Sequence, residues 1–116
     1  MSLQRYYQEG LELIIDSDTG EVFTTIPGYA RMAGGVFPAM VERIRKRVRQ
    51  VKALDKDRVK RAKLQKAVGF RSVSLIPESL IIEWIVDDNP SLARLMLKDG
   101  VRVYLHSVAG YEGKAS

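Results

Sequence analysis

The sequence predicts an α+β domain in which small β-hairpins pack with a helix-turn-helix-like unit and three C-terminal helices. Three observations predict it. Short runs rich in β-branched and aliphatic residues come in pairs divided by turn residues, apolar residues recur at gaps of three and four from Phe37 to Val51, and proline and glycine mark helix starts and ends elsewhere. With 46% hydrophobic and 28% charged residues in 116, the chain has enough apolar material for one core and falls outside the disordered class.

Met1 to Gly10 carries Leu3, Tyr6 and Tyr7 at roughly helical spacing and reads as a short helix or a loose arm, residues 1–10. A single domain then spans residues 11–112, and residues 113–116 form a polar tail. Glu12 to Asp16 and Glu21 to Thr25 flank Ser17-Asp18-Thr19-Gly20, the pattern of a β-hairpin. Asp16, Asp18 and Glu21 lack the ligand spacing of a calcium loop, so turn chemistry accounts for them.

Pro27 at a first helical position and Gly34 at a C-terminal cap bracket a helix from Pro27 to Ala33. Pro38 suits the first turn of a longer helix reaching Leu54. Phe37, Val41, Ile44, Val48 and Val51 share one side of it, and Arg43, Arg45, Lys46, Arg49 and Lys52 fall outside that stripe. Ala30 stands four residues before Gly34, where helix-turn-helix units place a small residue at the helix crossing. Gly35 adds one residue to that turn. The alternative is an ordinary amphipathic helical hairpin with a solvated basic face.

Asp55 to Arg61 lacks an apolar stripe and reads as a flexible connection. Ala62 to Gln65 and Arg71 to Leu75 alternate apolar with polar residues, which predicts a second hairpin turning at Gly69; helix propensity alone would also permit a helix from Asp57 to Lys66. Pro77 opens the next helix, whose Leu80, Ile81, Ile82, Trp84, Ile85 and Val86 leave little polar face, so it should be central and buried, with Trp84 in the core. Asp88 or Asn89 caps the following helix, Pro90 sits in its first turn, and Gly100 closes it after Lys98. Val101, Tyr104, Leu105 and Val108 give a last helix, although Val101, Val103 and Leu105 also alternate as a strand would.

Charge carries the functional signal. Thirteen Lys and Arg stand against Asp55 and Asp57 between Arg43 and Arg71, a local charge of +11 beside a remainder of −6. A basic segment on an acidic body attracts a polyanion to one face. Candidate DNA contacts are therefore Arg31, Arg43, Arg45, Lys46, Arg49 and Lys52 on the helices, with Lys63, Lys66 and Arg71 on a basic wing formed by the second hairpin. Double-stranded DNA is the expected partner. A protein-interaction module using the acidic, apolar half from Glu78 to Tyr111 is the competing reading.

Other classes find little support in the residues. The chain has no cysteine, and His106 is its one histidine, so neither a disulfide nor a thiolate or multi-histidine metal site is expected. No cofactor-binding glycine loop occurs, and no nucleophile is paired with a base. Glu83, Asp87 and Asp88 would be the carboxylates of a nuclease, but a neighbouring charge pair without an evident third ligand is weak evidence for one. Without a membrane-length apolar run or a signal-peptide core, the expected location is cytoplasmic and nucleoid-associated.

Two stretches carry a resemblance. GLELIIDSDTGEVFTTIPGYARMAG at Gly10 to Gly34 and SLIPESLIIEWIVDDNPSLARLMLKDGVRVYLHSVAGYE at Ser74 to Glu112 resemble the N-terminal DNA-binding domain of phage antirepressors and baculovirus-repeated-ORF (Bro) proteins, in particular a small stand-alone type of cyanobacteria and their phages. The carrying motifs are the strand-to-helix start Leu75-Ile76-Pro77-Glu78, the break Asn89-Pro90 and the end Gly110-Tyr111. Gly35 and Phe37-Pro38 depart from the polar turn of that family. The resemblance implies sequence-dependent DNA binding, a regulatory role in a phage or mobile element, and a homodimer.

Overall fold

The structure, a computed structural model, describes residues 3–8, 11–65 and 70–111, with backbone alone at 65, 70 and 71. Strands β1 (Leu3–Gln8), β2 (Leu11–Asp16) and β3 (Val22–Thr24) form a meander. Helices α1 (Ile26–Ala33) and α2 (Phe37–Leu54) follow, then a single 3-10 turn at Lys56–Arg58 and the hairpin of β4 (Lys60–Gln65) and β5 (Phe70–Pro77). Helices α3 (Glu78–Asp88), α4 (Pro90–Asp99) and α5 (Val101–Ala109) complete the α+β fold. The strands make one antiparallel sheet in the order β1-β2-β3-β5-β4. The hairpin joins that sheet through two residue pairs, Phe23↔Pro77 and Thr24↔Ile76.

Both faces of β2 are covered, which is why its sequence is a continuous apolar run rather than an alternation. Leu13 and Ile15 belong to the large core shared with the helices, together with Val22, Tyr29, Ile44, Ile76 and Trp84. Ile14 points the other way and packs with Phe23 and Leu75 in a small reverse-face core, flanked by Leu3, Ala62, Leu64 and Val73. The first hairpin turns as its residues predict: Asp16 accepts the Asp18 N–H on its carboxylate at 2.9 Å, and Gly20 takes a positive φ of 79°.

The N-terminal segment is neither a helix nor a loose arm. It is an edge strand, paired with β2 from Leu3↔Asp16 to Gln8↔Leu11. The three-residue spacing of Leu3 and Tyr6 imitates a helix, yet in a strand it sends the two side chains to opposite faces. Leu3 joins the reverse-face core, and Tyr6 meets Tyr111 edge-on at 5.8 Å on the helical side.

The reading of Asp55 to Arg61 as a flexible connection is also corrected, as is the helix from Asp57 to Lys66. Asp55 caps the 3-10 turn by accepting the Asp57 N–H at 3.1 Å, Val59 is buried, and β4 begins at Lys60. Burying Ala62 and Leu64 against the reverse-face core requires period two, which outweighs helix propensity here. The expected turn at Gly69 lies outside the described residues; the ladder closes at Gln65↔Phe70.

Helix ends follow their caps. Thr25 accepts the Gly28 N–H at 3.1 Å to start α1, and Asn89 accepts the Leu92 N–H at 3.3 Å to start α4 while donating its amide to Met32 O. Of the two residues expected to cap α4, Asn89 does so. In α3, Leu80, Ile81, Trp84 and Ile85 are buried, but Val86, expected in the buried set, is 46% exposed. The last segment is a helix, ended by Gly110 in the left-handed region. His106 hydrogen-bonds with Gly20 O at 2.7 Å and so ties α5 to the first hairpin turn.

Gly28 shows how tightly α1 seats on the sheet. A Cβ there would lie 2.2 Å from Thr24 Oγ1 and 2.8 Å from Glu12 O, the second a backbone atom that cannot rotate away. Gly28→Ala is expected to destabilise the fold by about 2 kcal/mol, as overpacking does. Urea unfolding of the two proteins measures it.

Candidate nucleic-acid interface

The period of α2 sorts its side chains into three groups. Ile44 and Val48 are fully buried, and Phe37, Val41 and Val51 are half-buried beside them. Arg45, Arg49 and Lys52, spaced by four and three, run along one flank. Arg43 and Arg47 fall on the other. Lys52 donates to Ser74 Oγ at 2.8 Å, which turns the first flank toward β5, and Arg47 donates to Asp88 at 2.7 Å, which turns the second toward α3.

The hairpin supplies an opposing wall. In its register Arg61 pairs with Ser74 and Lys63 with Ser72, and directly paired residues share a face. Ile76, two residues beyond Ser74, packs in the helix-side core, so these four side chains stand on the face that looks toward α2. Arg61 reaches Ser72 Oγ from two of its nitrogens, at 3.3 and 3.4 Å. A cleft results, with Arg45, Arg49 and Lys52 along one side, Arg61 and Lys63 along the other, and two serines at its base.

Across this cleft Arg61 acts on Lys52. Burial first, and then the nearby charge of Arg61, lowers the Lys52 ammonium below the ordinary lysine value. Such mutual repulsion costs stability, and an anion between the walls relieves it. Arg45 has an ion pair with Glu42 one turn earlier, but Glu42 is 60% exposed and surface pairs of that kind contribute little.

Four of the sequence-predicted contacts, Arg45, Arg49, Lys52 and Lys63, are thus brought together. The others are not placed with them. Lys46 is exposed on the outward side of α2, and Arg43 lies on the opposite flank, where its charge acts on Asp88. Arg31, in the last turn of α1, holds its guanidinium 4.2 Å over the Phe37 ring. Arg71 pairs with Leu64 in the ladder and is described by its backbone alone, and Lys66 lies outside the described residues.

Sequence reasoning missed Arg61, Ser72 and Ser74. The signal was present: Arg61-Ala62-Lys63-Leu64 continues the alternation back into the stretch read as a connection. It also missed Arg47, which sits at the margin of the apolar stripe of α2. No family model, curated protein or solved structure matches this chain. What the molecule does must therefore be argued from its own surfaces.

Two of the three carboxylates weighed for a nuclease, Asp88 and Glu83, have structural partners, and Asp87 is exposed. Asp88 accepts from Arg47 and from the Tyr29 hydroxyl, both at 2.7 Å, and Glu83 pairs with Arg58 at 2.8 Å. Burial would raise the Asp88 carboxyl, yet the hydrogen bonds from Arg47 and Tyr29 outweigh it and hold the group below the usual carboxylate range. The Arg47 guanidinium also lies 5.2 Å over Trp84, whose ring meets Tyr29 edge-on at 5.6 Å. This cluster clamps α1, α2 and α3 together, and so fixes the direction in which the Arg45–Lys52 flank points. Among the described residues no group of three His, Asp or Glu is placed to hold a metal ion, and no helix is long and apolar enough to cross a membrane.

Proposed function

We propose that this protein is a DNA-binding regulator that receives the duplex backbone in the cleft between α2 and the β4–β5 hairpin. The observation that carries this reading is the convergence of Arg45, Arg49 and Lys52 on Arg61 and Lys63 across a base of serine hydroxyls. Arginine and lysine at this density suit phosphate oxygens, and the hydroxyls add donors. The resemblance of Gly10 to Gly34 and Ser74 to Glu112 to antirepressor and Bro DNA-binding domains supports the same conclusion, with a homodimer acting in a phage or mobile element as its fuller form. In this arrangement α2 and the wing approach the DNA together, and contacts to phosphate fix orientation.

A salt series tests it. Binding of a labelled random-sequence duplex, followed by fluorescence anisotropy, is expected to weaken steeply as salt rises, with a log-log slope of about −4 for four to five phosphate contacts. A flat response, or no binding at low salt, overturns the reading.

One observation favours a second surface for protein partners. Val86, Leu95, Leu97 and Val103 on the three C-terminal helices are 46 to 59% exposed. A capture function of the antirepressor kind would use these rather than the cations. Pull-down that survives neutralisation of the cleft but fails when Leu95 and Leu97 become serine would favour it over DNA binding.

A further inference from the structure

Where the cleft meets the start of α1 it deepens into a pocket of about 270 Å³. Arg5 from β1, Arg45 from α2 and Arg61 from β4 line it, with the hydroxyl-bearing Ser72 and Ser74 alongside. Glu12 is the single acid among the described lining residues, so three cations face one carboxylate and two positive charges remain. That carboxylate is already engaged: it is ion-paired with Arg5, and its other oxygen accepts the Thr25 hydroxyl at 2.9 Å. Ile26, Pro27, Leu64 and Val73 supply apolar wall beside the charges.

With Arg5 held by Glu12, the guanidiniums of Arg45 and Arg61 and the two hydroxyls still offer more donors than the two free oxygens of a backbone phosphodiester can accept. A phosphate monoester presents three strong acceptor oxygens and nearly two negative charges near neutral pH, which matches the pocket in both number and charge. The apolar wall would then pack against the sugar that bears it. Within the nucleic-acid reading of the cleft, on which this step rests, we propose that the pocket binds the terminal phosphate of a nucleic-acid strand. The cleft takes the backbone, and the pocket takes its phosphorylated end.

Calorimetric titration of the full chain with three probes at one salt concentration tests this: a thymidine dinucleotide bearing a 5′-phosphate, the same dinucleotide with a 5′-hydroxyl, and inorganic phosphate. The phosphorylated dinucleotide is expected to bind about tenfold more tightly than the hydroxyl form, the effect of one charge-assisted hydrogen-bonded group. Arg61→Gln and, separately, Ser72→Ala should shrink that ratio toward one. Equal affinity for the two dinucleotides overturns the proposal. Inorganic phosphate binding as tightly as the phosphorylated dinucleotide also overturns it, since the pocket would then be a general anion site with no role for the strand. A long duplex lacking terminal phosphates judges the cleft separately. Duplex binding without any end preference defeats the pocket alone, and end preference without duplex binding defeats the cleft reading alone.

Discussion

Replacing Asp88 with alanine is expected to lower the unfolding free energy by about 3 kcal/mol, the cost of leaving a partly buried charge without its partner. Arg47 has a side chain only 25% exposed, and Asp88 only 10%. Removing the acid strands the Arg47 guanidinium against Trp84 and deprives the Tyr29 hydroxyl of its acceptor as well. Chemical denaturation reads the loss directly. Replacing both charges, as Arg47→Met with Asp88→Leu, is expected to cost less than Asp88→Ala alone, because no buried ion remains. A double variant as unstable as the sum of its singles would show that the pair is not coupled.

The same pair sets an acid response. Its folded carboxyl is held below the usual range, so the stabilisation is complete above the ordinary aspartate value of about 3.9 and disappears as pH falls through the lower folded value. Unfolding measured from neutral pH downward should therefore show Asp88→Asn to have a flatter acid limb than the parent protein.

The second large effect is on binding. Neutralising Arg45, Arg49 and Lys63 to glutamine is expected to weaken duplex affinity by about a hundredfold near 0.1 M salt and to flatten the log-log salt slope by about 2.7. All three stand along the cleft rather than inside the core, so the variant should keep its melting temperature. Exposed Lys56, Arg94 and Lys98, changed together, remove the same total charge from other places. They are expected to alter affinity by less than about threefold, since exposed charges beyond a Debye length are largely screened. Equal losses from the two triples would mean that net charge alone attracts DNA and that the cleft has no special part.

What could be read from the chain, and what could not, divides by distance along it. Pro27 marks the start of α1, Asn89-Pro90 the start of α4 and Gly110 the end of α5 through effects reaching only a few residues, although the Thr25 cap reads in the sequence as the end of a strand. The run from Glu12 to Asp16 and its turn were legible for the same reason. Edge strand β1 was not, because Leu3 and Tyr6 find their partners in Leu64's neighbourhood and at Tyr111, far outside any local window. For the candidate site, charge alone marked Arg45, Arg49, Lys52 and Lys63. The ladder register that joins Arg61 to Ser74 was needed for the opposing wall, and the 41-residue separation of Arg47 from Asp88 hid the clamp entirely.

The two walls are held differently: the β4–β5 hairpin is paired to β3 at Phe23↔Pro77 and Thr24↔Ile76, is tied there again by Lys60 on Glu21, and packs on α1 and α3, whereas α2 rests chiefly on α1. Lys52 on Ser74 spans from one to the other at 2.8 Å, so the gap's width is held at that bond.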